Sequence, residues 1–296
     1  MARLFDEILN STVMDKDLLK SFSGAICIES SNVSDYYYES NQQEEWALNK
    51  DIPNIAPPFK IFFIEYKAPS VINSSGKPTS VDNRIKGQKQ GVLFTSQLCE
   101  ELPSDTQKMF PKNSNWIVSA TLIWSAYNQI ILMANWVYGV TQEGLWATSN
   151  ANDFSYFFTP HTPSMKNKSP EEADILKGLL HPALLAISFI HCRKQTKLIE
   201  HEAPPKVQKK RERNSRPPLT KYYTLDIEPL KEILKTEGRI HEVGLQRALH
   251  ICRGHFKDYS QGKGLFGKYK GLYWWDAIAR GTERNGTIIK DYNVKI

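Results

Sequence analysis

This chain has few of the features that announce a familiar activity. No apolar run approaches the ~20 residues that a membrane helix needs. The longest, Gln129 to Val140, is interrupted by Asn135. The first residues carry Arg3, Asp6 and Glu7 and lack the apolar core of a secretion signal. The four cysteines, Cys27, Cys99, Cys192 and Cys252, stand far apart and form no CxxC pair. Neither a structural zinc site nor a disulfide framework is therefore expected, and a reducing cytoplasm fits best. His181, His191, Cys192 and His201 lack the i, i+4 spacing that puts metal ligands on one helix face. There is no GxxxxGK[ST] phosphate loop, and no GxGxxG follows a strand. An ATPase or a dinucleotide enzyme finds no support, and no metal or cofactor is expected. Internal repeats are absent too.

The composition itself is that of a folded protein. In 296 residues, 41% are hydrophobic and 24% charged, which excludes a disordered chain. The net charge of +6 is unevenly spread. From Arg193 onward there are 23 Lys and Arg against 12 Asp and Glu, a net of +11. The preceding residues hold 15 against 20, a net of −5. A basic C-terminal third on an acidic body points to a polyanion or an acidic protein as partner.

Along the chain, helices are expected around Leu4 to Leu9 and Asp15 to Phe22, followed by a polar segment with Tyr36, Tyr37 and Tyr38. Phe59 to Tyr66 and Val92 to Leu98 read as strands by β-branched and aromatic content, with a loop over Val71 to Gln90. Trp116 to Trp124, Gln129 to Val140 and Gly144 to Trp146 read as an antiparallel meander, because their short links cannot make parallel crossovers. Trp116, Trp124, Trp136 and Trp146 are expected in the core. Ser169-Pro170-Glu171-Glu172 starts a helix by its capping residues, and Pro182 forces a kink or a new, buried helix over Ala183 to Ile190. Two Pro-Pro pairs then bracket Lys206, Lys209, Lys210, Arg211, Arg213 and Arg216, six cations in eleven residues. Such a composition reads as an extended, exposed connection suited to RNA. A short strand over Tyr222 to Leu225 and a short helix over Glu228 to Lys235 follow. The expected fold class is α+β: an antiparallel β-sheet body with packed helices over 1–203, a basic linker over 204–218, and a basic region over 219–296 with a C-terminal β-hairpin.

That hairpin holds the densest chemistry. Period two puts Arg253, His255, Lys257 and Tyr259 on one face of a strand, with a Trp274-Trp275 partner strand and Arg280 beyond it. These residues and the six linker cations are the candidate contacts for RNA or a partner protein. The same face offers an acid, a base and cations, so a metal-independent ribonuclease is the alternative, with His255, Arg253, Lys257, Tyr259 and His250 as its catalytic set. Glu65-Tyr66-Lys67 at a strand end imitates the ExK element of a metal-dependent nuclease, but a tripeptide is too short to be specific.

The run His250-x-x-Arg253-Gly254-His255-Phe256-x-x-Tyr259, a Gly262-x-Gly264 loop and a later tryptophan resemble the tail of a group of proteins from phages, plasmids and bacterial mobile elements. The resemblance spans roughly Ser169 to Gly281, and the N-terminal half and the insertion Leu265 to Lys270 depart from it. The group includes a type V-A anti-CRISPR family that limits production of the CRISPR nuclease. What the resemblance implies is a non-enzymatic regulator of mobile-element origin whose partner is a nascent polypeptide at the ribosome, or its message.

Overall fold

The computed structural model describes residues 3–11, 16–40, 52, 54–67, 89–126, 129–148, 156–160, 178–192, 196–230, 255–258 and 272–275. Two short helices, α1 (Leu4–Leu9) and α2 (Lys16–Ser23), precede strand β1 (Ile26–Glu29) and helix α3 (Ser31–Ser40). Then come β2 (Ile61–Tyr66), β3 (Lys89–Leu98), a one-turn α4 (Ser104–Gln107), β4 (Trp116–Ala126), β5 (Gln129–Val140) and β6 (Tyr156–Pro160). Helix α5 (His181–His191), β7 (Lys197–His201), α6 (Pro205–Arg213), β8 (Tyr222–Asp226) and the pair β9 (His255–Asp258) and β10 (Leu272–Trp275) complete the order. The fold is α+β. Eight strands form one sheet in the order β6-β5-β4-β3-β2-β1-β8-β7, and β9 and β10 pair as a separate antiparallel hairpin.

From β2 to β6 the sheet is the antiparallel meander that the alternating apolar pattern requires. A bulge at Leu122/Ile123 is its one irregularity among the described pairings. Two features depart from the expected meander. Ile26–Glu29, too short to signal itself by alternation, is an interior strand of the sheet, and it pairs in parallel with both β2 and β8. Gly144 to Trp146 is a turn closed by a single bridge from Trp146 to Val140 rather than a strand.

Both faces of the sheet are covered, which is why its central strands carry apolar side chains toward both. On one face Ile28, Phe62, Ile64, Val92, Phe94, Val118, Leu122, Trp136 and Tyr138 pack under α3 and α5. Helix α5 is buried from His181 to Phe189, starting anew at Pro182 as that proline dictates. The expected polar segment at Tyr36 to Tyr38 is part of α3; Val33 and Tyr37, four residues apart, bury one face of it. On the other face Cys27, Phe63, Leu93 and Ile123 meet Leu4, Phe5 and Ile8 of α1 and Phe22 of α2. Phe63 packs edge-on to Phe22 at 5.2 Å and against Phe5 at 5.6 Å, and its ring lies over Gly91 of the neighbouring strand. A Cβ at Gly91 would sit 2.2 Å from that ring, so glycine there makes the close approach of strand and ring possible.

Trp136 and Trp146 are buried, and Trp116 packs partly buried against the same core, as expected for core aromatics. Cys27 and Cys99 are free thiols, and Cys192 is disulfide-bonded. The helix expected from Ser169 and the loop over Val71 to Gln90 fall outside the described residues, apart from the strand start at Lys89 and Gln90.

Candidate nucleic-acid interface

Between the paired strands β7 and β8 the chain makes the excursion 202–221, and this is where the expected basic linker lies. It is exposed, as its composition requires, but it is not extended. Pro204 and Pro205 begin a helix instead of stiffening a coil: proline has no N–H to lose in the first turn, and its fixed φ suits the first helical position. Val207 and Gln208 both donate their N–H groups to the Pro204 carbonyl. The far end closes in a Schellman motif. Arg216 N–H reaches back to Arg211 O and Ser215 N–H to Glu212 O, with Ser215 in the left-handed region at φ 51°. Helix α6 buries no residue and is held to the chain's return by polar bonds. Gln208 donates to Leu219 O at 2.8 Å and accepts the Leu219 N–H at 3.0 Å, and Arg211 Nε donates to Pro217 O at 2.7 Å.

Gln208 and Arg211 therefore mark the side of α6 turned to the chain's return. At 3.6 residues per turn, Lys206, Lys209, Lys210 and Arg213 fall on the opposite side, within an arc of about 100°. All four are exposed. Arg216 is exposed just beyond the helix, and Arg211, with its guanidinium on Pro217, is the sole one of the six that faces inward.

The base of the excursion is fastened by α1. Asp6 accepts from the Thr220 N–H at 3.1 Å and from the Thr220 hydroxyl. Arg3 bonds Asp6 at 3.1 Å and donates to Thr220 O at 2.6 Å. Helix α1 is in turn seated by Glu65, whose carboxylate accepts the Phe5 N–H at 2.9 Å beneath the helix. Burial pushes the Glu65 carboxyl up to about 7, against the opposing pull of the Phe5 N–H and Arg3. Burial likewise raises the Cys27 thiol, reinforced by the negative charge of Glu65. Glu65 thus serves as a structural cap, while Lys67 at the same strand end is exposed. The two do not make the exposed carboxylate–lysine pair that the ExK reading needs. Among the described residues no three of His, Cys, Asp and Glu are gathered so as to hold a metal ion.

At the last pair before the excursion, His201 stands opposite Tyr222. Their rings stack with centroids 4.8 Å apart and planes 20° from parallel. His201 Nε2 lies 2.8 Å from the Thr224 hydroxyl, and the Arg3 guanidinium lies 4.0 Å over the Tyr222 ring. Neither Arg3 nor His201 stands out in the sequence, because they meet only through strand pairing and the docking of α1. On the opposite face of the hairpin, Glu200 takes Lys221 at 2.7 Å and the Tyr223 hydroxyl at 3.0 Å, and these bonds hold its carboxyl below the usual range. An open cavity of about 600 Å³ lies near the end of α5. Pro57, Pro58, Phe59, Ile190 and Leu198 line it, with few charged groups to fix a ligand.

Of the C-terminal candidates, β9 and β10 are described in backbone pairing. His255 stands opposite Trp275, Phe256 opposite Trp274 and Lys257 opposite Tyr273. The hairpin expected from the sequence is present in that register. His250, Arg253, Tyr259 and Arg280 lie outside the described residues, as does the helix expected over Glu228 to Lys235 beyond Leu230. No helix among the described residues is long and apolar enough to cross a membrane. Comparison with family models, with curated proteins and with solved structures finds no match to this chain.

Proposed function

We propose that this protein is a non-enzymatic regulator that binds RNA through its basic C-terminal region, with α6 as the principal contact. The observation that carries this reading is the outward stripe of Lys206, Lys209, Lys210 and Arg213 on a helix without a buried residue. Like charges three and four residues apart each cost a helix about 0.2–0.5 kcal/mol. A short exposed helix that concentrates them is weakened by its own sequence, and a polyanion lying along the stripe removes that repulsion. The charge split of the chain supports the same reading, as does the resemblance to mobile-element regulators that act where a message is translated. In that setting a nascent polypeptide is the second candidate partner.

The test is RNA binding across a salt series. Changing Lys206, Lys209, Lys210 and Arg213 together to Gln weakens binding and flattens the slope of log K against log salt. The slope changes by about 0.7 for each phosphate of the single strand that is left without its cation. An unchanged slope removes α6 from the interface. Failure of the wild type to bind RNA transfers the reading to a protein partner. Cleavage of the RNA that resists EDTA and disappears in His255→Ala would establish the ribonuclease reading instead.

A further inference from the structure

The row Arg3–Tyr222–His201 runs across the sheet, from α1 over β8 to β7. Strand β8 lies between β1 and β7; Arg3, whose guanidinium reaches Cys27 of β1, lies over the Tyr222 ring, and His201 of β7 stacks on it. The 4.8 Å separation of the His201 and Tyr222 rings matches the spacing between neighbouring strands of a sheet, about 4.8 Å. The next ring in the row would therefore sit one strand further out. Among the described residues no strand lies there, because β7 ends the sheet. His201 is partly exposed, and its bond to Thr224 fixes the plane of the ring. Two residues back along the same face of β7, Ile199 is 44% exposed. A few residues onward, the chain enters α6 with its four outward cations.

We infer that the outer face of His201 is a stacking site for an unpaired base of single-stranded RNA whose backbone lies along the cationic side of α6. This rests on the RNA-binding reading above and adds which form of RNA is taken and where one base sits. A duplex keeps its base faces stacked on one another, so only an unpaired base can extend the row. The guanidinium behind Tyr222 and the tyrosine behind His201 present a prebuilt stack, and adding one ring to it orders no further protein side chain. Platforms of this kind beside a cationic groove accept any base, since each has a π face. The chemistry recognised is thus a single strand with little sequence preference.

The test uses the full chain with two probes of equal length, a single-stranded RNA carrying 2-aminopurine and an RNA duplex. The single strand binds more tightly than the duplex, and its 2-aminopurine fluorescence is quenched on binding. His201→Ala weakens single-strand binding about 5- to 150-fold, the range for removing one ring from beneath a stacked base. It abolishes the quench but leaves the salt slope unchanged, because every cation that meets a phosphate is still in place. His201→Phe, confirmed as folded by its melting transition, keeps both affinity and quench. Wild-type affinity and quench in His201→Ala would overturn the stacking site while leaving α6 as the contact. So would a folded His201→Phe that behaves like the alanine variant, or equal affinity for the duplex. A wild type that binds neither probe defeats the RNA reading itself.

Discussion

Glu65 is the residue whose titration should be felt most directly in the stability of this protein. It is buried between the sheet and α1, with the Phe5 N–H as its hydrogen-bond donor, and its carboxyl is raised to about 7 from an ordinary 4.5. The folded state therefore holds a proton on Glu65 in a range where the unfolded chain has released it. Stability falls with rising pH wherever the folded state binds more protons. The stabilising contribution of protonated Glu65 is thus complete below pH 4.5 and is lost as the pH rises through 7. A difference of one pH unit between folded and unfolded pKa is worth about 1.36 kcal/mol, so the loss approaches about 3 kcal/mol. Other carboxylates obscure this in the raw curve, so the measurement is a difference. Urea unfolding of the wild type and of Glu65→Gln at intervals from pH 4.5 to 8 isolates the contribution of this one group. The glutamine still accepts from Phe5 and never ionises. The wild type should lose about 3 kcal/mol relative to the variant across that window. Parallel curves would refute the placement of an ionisable, desolvated carboxyl beneath α1.

Two further perturbations test the packing that positions the excursion. Gly91→Ala should destabilise the fold by about 1–3 kcal/mol, as overpacking does, and Phe63→Leu in the same chain should recover part of the loss by vacating the space beside the new methyl; full wild-type stability in the single variant, read by thermal melting, would contradict the close approach of ring and strand. Arg3→Ala should cost about 3 kcal/mol, the low end for stranding a buried carboxylate, because Asp6 keeps its bonds from Thr220; a loss below about 1 kcal/mol in urea unfolding would mean that α1 does not hold the base of the excursion.

The meander could be read from the sequence because its determinants are local. Alternation in Trp116 to Trp124 and the apolar length of Gln129 to Val140 each specify a strand without reference to anything distant. Ile26–Glu29 carried no such signal. Four residues are too few to show a period, and its place inside the sheet is decided by β2 and β8, which lie far along the chain. The excursion misled for a different reason. Proline pairs favour an extended chain when followed by residues that cannot bury a face, and composition alone weighed that preference above the role of Pro205 as a helix-initiating residue. What tipped the balance was proline at the first helical position and a closed C-terminal turn, with a left-handed Ser215 where glycine is the usual signal. The cations were legible as a cluster; that four of them share one side is a property of the helix. Arg3, Tyr222 and His201 were invisible as a group because the sequence separates Arg3 from the other two by some two hundred residues.

The same separation explains how a helix without a core can keep a defined position. Helix α6 contributes no apolar area of its own, so burial cannot orient it. Its orientation is borrowed through a chain of bonds: Gln208 to Leu219, Thr220 to Asp6 and Arg3, and α1 to Glu65 and the aromatic cluster of Phe5, Phe22 and Phe63. Each link is polar until the last, where the apolar face of the sheet takes the load. A helix held in this way leaves its whole outer side available, which a helix packed by its own hydrophobic stripe could also do. The difference lies in where the attachment runs. The bonds of α1 reach Thr220 and the ring of Tyr222, beside the Leu219 attachment of α6, whereas the core beneath α3 and α5 is built from other residues. The cationic stripe and the stacked rings are therefore both tied to the N-terminal helix, on the opposite face of the sheet from the larger core.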